Sequence, residues 1–255
     1  MSEIEKKGHL HPLTQVIWEV CQAFREMGFE VAEGPEVEDE FHNFDALNIP
    51  ANHPSRDMQD TFWVKGGKNV LRTQTSAVQV RYMEEMLKQG KQPPFSIIAP
   101  GKVFRNEATD ARHEAQFHQI ECLLVGQDIS VAHLKGYLTE LFAKLYGKET
   151  EVRLRPSFFP FVEPAFETDT PCLKCTKDGK AVKGNQCSLC SGSGWMEMGG
   201  SGMVHPNVLK AVNLDPEIWR GFAFGFGVDR LAMLKFGVDD IRTFYEGDLR
   251  LMKQF

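Results

Sequence analysis

Leu13, Val16, Ile17, Val20, Phe24 and Met27 recur at helical spacing between Pro12 and Gly28. A proline in the opening turn and a glycine past the last apolar position bracket one amphipathic helix with a single buried face. A second run, Val80, Met83 and Leu87, follows Ser76 and ends at Gly90, with Ser76 read as its cap. Ser130 and Gly147 bracket a third helix containing Leu134, Leu138, Leu141, Phe142 and Leu145. Strand-like runs lie at 29–31, 96–99, 102–105, 117–125 and 151–155. Helices and strands come in mixed order, with neither a βαβ rhythm nor a Gly-rich dinucleotide fingerprint. The pattern predicts an α+β fold, an antiparallel sheet flanked by helices, and excludes a doubly wound nucleotide fold. It divides into a tail at 1–10 and one domain at 11–255, with a small insertion at 170–194.

Composition narrows the function. Lys+Arg number 29 against 35 Asp+Glu, a net charge of −6, which argues against a basic nucleic-acid clamp. No apolar run reaches the roughly 18 residues of a membrane span, and Met1-Ser2-Glu3-Ile4-Glu5-Lys6-Lys7 is too polar for a signal-peptide core. A soluble, cytoplasmic protein with no membrane partner is expected. Glu33, Glu36, Glu38, Asp39, Glu40 and Asp45 accumulate with no basic residue among them, as a solvated face or, alternatively, a partner-binding edge. Four of the six cysteines form two hooks, Cys172-Leu173-Lys174-Cys175 and Cys187-Ser188-Leu189-Cys190, with eleven residues between them, Gly179 and Gly184 included. Four thiolates at this spacing suit a closed, tetrahedral and therefore structural zinc site; soft thiolates favour zinc over magnesium or calcium.

Two segments carry candidate chemistry. Phe104-Arg105-Asn106-Glu107, a polar loop to Gln116, and Phe117-His118-Gln119-Ile120-Glu121 read as a long hairpin. Strand alternation puts Gln119, Glu121 and Leu123 on one side and His118, Ile120, Cys122 and Leu124 on the other. With Arg105 on the first side, a forked donor suited to phosphate stands beside an amide and a carboxylate suited to an ammonium group. A structural ion pair is the alternative. In Gly225-Phe226-Gly227-Val228-Asp229-Arg230, two glycines allow close backbone approach and a helix starting near Val228 places Arg230 in its first turn, where anions are favoured.

Pro35 after Gly28-Phe29-Glu30-Val31, the Phe104-Arg105-x-Glu107 hairpin and Gly225-x-Gly227-x-Asp229-Arg230 resemble the three signature motifs of the class II aminoacyl-tRNA synthetases. Longer blocks resemble the catalytic domain of the phenylalanyl-tRNA synthetase alpha subunits within that class. They are His11-Pro12-Leu13-Thr14, His42-Asn43-Phe44-Asp45-Ala46-Leu47-Asn48, Leu71-Arg72-Thr73-Gln74-Thr75-Ser76, Phe159-Pro160-Phe161-Val162-Glu163-Pro164 and Gly202-Met203-Val204-His205-Pro206-Asn207-Val208. The resemblance implies activation of phenylalanine with ATP and transfer to tRNA(Phe), with magnesium on the phosphates. It implies Arg105 at the α-phosphate and Arg230 at the γ-phosphate as catalytic groups, with Glu107, His113 and Phe117 also at the nucleotide. Ser76, Gln79, Gln119 and Glu121 are implied around the amino acid's polar groups. Phe159 and Phe161 are implied around its ring, with Ala223 as the floor, and Gly225 is implied among the residues that bind the amino acid. Glu197 is the candidate magnesium ligand. The implied partner is a beta subunit, in an α2β2 heterotetramer, and Val16, Val20 and Phe24 are candidates for burial between chains.

The sequence departs from that family twice. The tRNA-gripping N-terminal region of bacterial alpha subunits is not among these residues, as expected of a trimmed or short form, or of a paralogue that forms an adenylate without charging tRNA. The cysteine knuckle is the second departure. Its Lys174, Lys177, Lys180 and Lys183 suggest an acceptor-stem or partner contact, or simply a soluble loop tip. An inactive zinc-knuckle binding module on a synthetase scaffold is the reading from another class.

Overall fold

The computed structural model describes residues 8–111, 113–147, 150–177, 180–181, 187 and 189–255. Gly179, Lys183, Gly184 and most of the expected N-terminal tail lie outside the described residues, as do the side chains of Lys177 and Lys180. The chain opens with α1 (Pro12–Glu26), where His11 accepts the Leu13 N–H at 3.2 Å and Pro12 occupies the first turn. Then come β1 (Glu30–Val31), β2 (Val37–Asp39), α2 (Glu40–Asn43), β3 (Asn69–Leu71) and α3 (Ser76–Lys88). A long hairpin, β4 (Phe95–Phe104) and β5 (Gln116–Gly126), leads into α4 (Val131–Tyr146). The second half contains β6 (Arg153–Phe159), β7 (Val162–Pro171), the short ribbon β8 (Thr176–Lys177) and β9 (Lys180–Ala181), and β10 (Trp195–Val204). It finishes with α5 (Pro206–Ala211), β11 (Arg220–Gly227), α6 (Val228–Phe236) and α7 (Leu249–Met252).

Among the described residues seven strands form one sheet in the order β1-β4-β5-β11-β10-β7-β6. Six of its strands pair antiparallel as expected, but β1 joins β4 in parallel, so the sheet is mixed. Strand alternation sorts the side chains into two cores. Ile98, Ile120, Cys122, Leu124, Phe222, Phe224 and Phe226 face α1, α4 and α6. Ile97, Ala99, Leu123, Val125 and Ala223 face α3 and α5. The second face is covered at one end only, and the bare remainder carries the polar residues of the hairpin.

The hairpin follows the sequence pattern closely, with Phe104 opposite Gln116 and Phe95 opposite Val125. Helix α4 does too, its N-terminus closed by a reciprocal Ser130–His133 cap. Strands β7 and β10 were not legible as full strands. Register shifts between Glu197 and Gly199, and between Gly202 and Val204, break the two-residue period on which strand reading depends.

Four expectations are corrected. Ser76 is the first residue of α3 and not its cap: the cap position is Thr75, and the Ser76 hydroxyl donates to Glu121. Val16, Val20 and Phe24 are fully buried within this chain, leaving Trp18 as the exposed apolar residue of α1. The acidic run is not a plain solvated face. Glu38 is 0% exposed, and Arg81, from α3, grips it through Nε at 2.8 and 3.0 Å and Nη2 at 2.5 Å. Glu40 and Asp45 hold Arg56 at 3.0 and 2.6 Å. The compensating cations lie outside the run, Arg56 within 16 residues and Arg81 43 residues beyond Glu38, where a charge count of the run itself does not find them. Lys174 likewise does not project freely, because its ammonium pairs with Asp239 at 2.9 Å. No helix among the described residues is long and apolar enough to cross a membrane.

Arg81→Met strands the Glu38 carboxylate in the interior. It should cost about 2–3 kcal/mol in urea unfolding, less than a fully buried pair because Arg81 is partly solvated. The Glu38→Gln/Arg81→Met double variant should recover most of the loss.

Candidate active site

The bare face of the sheet carries Gln119 and Glu121 two residues apart on β5. The N-terminal turn of α3 closes over them. Ser76 Oγ donates to Glu121 Oε1 at 2.6 Å, Gln79 Nε2 to the same oxygen at 2.9 Å, and Thr75 Oγ1 to Oε2 at 3.4 Å. The Thr75 N–H donates to Gln119 Oε1 at 3.3 Å. Ser76 and Gln79, three residues apart, share one face of α3. Across the sheet stands Gly225, where a Cβ would come within 2.7 Å of Glu121 Oε2. Only a glycine leaves room for the carboxylate. Burial pushes the Glu121 carboxyl up to about 7; its hydroxyl donors, the Arg105 charge and the Gln79 amide restrain the rise without cancelling it. The group is thus a buried carboxyl with neutral donors and, among the described residues, no cation within hydrogen-bond distance, an arrangement in which a positively charged ligand group would favour the ionised form.

Beside it Phe159 and Phe161 present nearly parallel rings, 20° apart in tilt, with centroids separated by 6.0 Å. Gly200 lets the Phe159 ring lie against the β10 backbone, since a Cβ there would fall 2.9 Å from it. Ala223 shares the face of Gly225 and belongs to the apolar layer on which both rings pack. Phe159, Phe161, Gly200 and Gly225, with Ser76, Gln119 and Glu121, surround one cleft. Phe158 differs: it is 80% exposed at the mouth.

A second cleft adjoins the first. Arg105, Glu107, His113, Phe117 and Arg230 line it together with Gly227 and Asp229. Arg105 is aimed by its Nε hydrogen bond to the Thr73 carbonyl at 3.2 Å, and its guanidinium lies 5.1 Å from the centre of the Phe117 ring. Arg230 donates through Nη1 to the Glu197 carbonyl at 3.1 Å, and His113 is hydrogen-bonded to the Asp110 carboxylate at 3.0 Å. Asp229 is buried beside Arg230. It accepts from the Tyr245 hydroxyl at 2.5 Å and the His118 N–H at 3.1 Å, tying the start of α6 to β5 and the C-terminal segment. Arg105 and Glu107 border both clefts.

Of the residues singled out from sequence, all but Gln79, Ala223 and Glu197 line one of these clefts or belong to the cysteine cluster. Gln79 and Ala223 stand immediately behind the first cleft. The Glu197 side chain lines neither; its carboxylate lies 3.5 Å from Arg155 Nη2. Sequence reading missed Thr75, Gly200 and Arg72. The buried Arg72 donates to the carbonyls of Lys102 (2.6 Å), Gly34 (2.9 Å) and Pro35 (3.2 Å), joining three segments behind the site. Its position in the Leu71-Arg72-Thr73-Gln74-Thr75-Ser76 block was the available signal.

The four knuckle sulfurs lie within 4.8 Å of one another, with Cys172–Cys187 at 3.8 Å and Cys175–Cys190 at 3.6 Å. Zn–S bonds of about 2.3 Å in a tetrahedron give edges of about 3.8 Å, so the donor set fits zinc. Burial opposes ionisation of Cys187. Even so, the Cys190 N–H, the Cys175 thiol and the Leu189 N–H bring it below the ordinary thiol range, while Cys172 and Cys175 are pushed up.

Because the folded carboxyl of Glu121 titrates near 7 and an ordinary one near 4.5, the folded state holds the proton more tightly. The stability this contributes is fully present below the lower value and lost as pH rises through the upper one, about 3 kcal/mol in all. Urea unfolding at pH 5 and 7.5 should show Glu121→Gln gaining stability over wild type at the higher pH only.

The chain matches the family described as tRNA synthetases class II core domain (F) over residues 1–255. It is 52% identical over 250 residues to a phenylalanine-tRNA ligase alpha subunit of Bacillus pumilus, covering 98% of this chain and 70% of the relative. Alpha subunits of the same name from Leptospira biflexa and Bacillus subtilis are 51% and 52% identical over 251 and 248 residues. These alignments cover 98% and 97% of this chain, and 70% and 69% of the relatives. Among solved structures, pyrrolysyl-tRNA synthetase from Desulfitobacterium hafniense superposes with a TM-score of 0.67 at 15% identity, covering 96% of this chain and 76% of that one. At that identity the likeness concerns the fold alone. The chain belongs to the class II tRNA synthetase core-domain family, alongside the phenylalanine-tRNA ligase alpha subunits.

Proposed function

We propose that this chain activates phenylalanine with ATP and transfers it from phenylalanyl-adenylate to tRNA(Phe), as the catalytic alpha subunit of an α2β2 enzyme in the cytoplasm. The observation that carries this reading is the sharing of Arg105 and Glu107 between the two clefts. Two substrates that must join end to end, a carboxylate and an α-phosphate, meet at that border. Phenylalanine lies in the first cleft, its ring at Phe159 and Phe161 over Ala223 and its ammonium at Glu121, with Gln119, Ser76 and Gln79 completing the polar end. ATP occupies the second cleft, with Phe117 and His113 at the nucleotide, Arg105 at the α-phosphate and Arg230 at the γ-phosphate.

A carboxylate oxygen of phenylalanine attacks the α-phosphorus in line, and the bond to pyrophosphate breaks. Both reactants arrive with their charge, so positioning and neutralisation by the two arginines supply most of the rate. Magnesium accompanies the phosphates. Glu197, half exposed, is our candidate protein ligand for it, in exchange for its loose contact with Arg155. The four cysteines would hold a structural zinc, which would crosslink the knuckle.

Phenylalanine-dependent exchange of labelled pyrophosphate into ATP tests the first step, and aminoacylation with added beta subunit tests the second. Exchange with tyrosine equal to that with phenylalanine, or none with either in folded, zinc-replete enzyme and its complex, defeats the reading. Arg105→Ala and Arg230→Ala should each lower exchange by about two to three decades. Ala223→Gly deepens the ring pocket and should raise activation of para-substituted phenylalanines relative to phenylalanine, measured as the ratio of kcat/KM values. Protonation of Glu121 removes the ammonium's counter-ion, so kcat/KM for phenylalanine should fall about tenfold per pH unit below the carboxyl's value near 7.

A further inference from the structure

Leu189 lies inside the second cysteine hook, yet its side chain does not merely fill the knuckle. It is buried and lines the second cleft, beside Met196, Met233 and Ile241. The cleft is thus two-sided in character. Arg105 and Arg230 make one part suited to a polyphosphate, whereas the apolar part, with the Phe117 ring, suits a flat heterocycle that is poorly hydrated on its faces.

The position of Leu189 is set by its neighbours, Cys187 two residues before and Cys190 immediately after. Those two are joined to Cys172 and Cys175 through sulfur contacts at the spacing of a tetrathiolate. A second tie is the Lys174–Asp239 ion pair, which fastens the first hook to another residue of the same cleft wall. The Ile241 N–H, in turn, donates to the Ala111 carbonyl at 3.1 Å, holding the loop of the Arg105 hairpin to that wall. Knuckle, cleft wall and hairpin loop form one connected assembly, and a metal in the four-thiolate site is its strongest crosslink.

We propose that Leu189 is a nucleotide-binding residue supplied by the cysteine knuckle, packing against the base of ATP, and that ATP affinity therefore depends on metal in the four-thiolate site. This rests on the reading of the Arg105–Arg230 cleft as the ATP site. Phenylalanine binding, in the other cleft, is independent of it. The knuckle then contributes to substrate binding without its metal taking part in the reaction.

Calorimetric titration of the full chain with ATP, inorganic tripolyphosphate and phenylalanine tests this, with bound zinc quantified in every sample. Leu189→Ala should keep its zinc and weaken ATP about five- to tenfold, the loss of one apolar contact of about 1 kcal/mol or slightly more. Tripolyphosphate, which has no base, and phenylalanine should bind as in wild type, and Leu189→Met should restore ATP affinity. Removing zinc from wild type with a chelator should weaken ATP at least as much and spare phenylalanine. If Leu189→Ala loses its zinc, Leu189→Val takes its place in the comparison.

Unchanged ATP affinity in the zinc-loaded variant overturns the proposal. So does an equal loss for tripolyphosphate or phenylalanine, which would make the knuckle a general scaffold. Arg230→Ala separates the two levels. ATP binding indifferent to Arg230 removes the underlying assignment of the cleft, whereas binding that needs Arg230 but ignores Leu189 and zinc removes only the present inference.

Discussion

A carboxylate buried between a sheet and the start of a helix is the constraint around which this protein is arranged. Glu121 lies 5% exposed under α3 and receives donors from Thr75, Ser76 and Gln79. An anion in that position is stable only while its lone pairs are satisfied, which obliges α3 to begin at Ser76 and to dock on β5. Ser76 gives its hydroxyl to the carboxylate and does not cap its own helix. Position 225 must lack a side chain for the same reason. Among the described residues the hydrogen-bond donors to Glu121 are all neutral.

The same economy of charge runs through the rest of the molecule. A net charge of −6 conceals local positive sites, because Arg81, Arg56, Arg153 and Arg155 are committed to carboxylates of the chain. Arg105 and Arg230 each donate, in addition, to a backbone carbonyl, of Thr73 and Glu197, which orients the guanidinium; Glu107 lies 3.9 Å from Arg105. An oriented cation in a cleft is what a polyphosphate needs. Asp229, held by Tyr245 and the β5 backbone, fixes the helix start from which Arg230 projects.

Legibility of the sequence tracked the range of the interactions involved. The β4–β5 hairpin and α4 could be read because their signals are local: alternation, a capping serine and a glycine stop. The two-residue period by itself puts Gln119 and Glu121 on one face of β5. The roles given to Arg105, Arg230, Phe159 and Ala223 came from family resemblance, since a Phe-Phe-Pro-Phe run reads equally well as core. Strands β7 and β10 were obscured by bulges and by the glycines that make the floor flat. Thr75 and Arg72 went unnoticed because their partners, at Glu121, Lys102 and Gly34, are thirty or more residues away.

The sequence by itself determined the fold class, the two cysteine hooks and the set of side chains available for phosphate and ammonium. Those follow from periodicity, spacing and chemical type, which are properties of neighbouring residues. Only the tertiary structure decided that two clefts share Arg105, that Glu38 and Glu121 are buried, that Val16, Val20 and Phe24 belong to the chain's own core, and that Leu189 of the knuckle lines the second cleft. Each of these depends on which distant segments are brought together. Burial, and with it the energy of a charge or an apolar contact, is set by that assembly and not by any stretch of chain read alone.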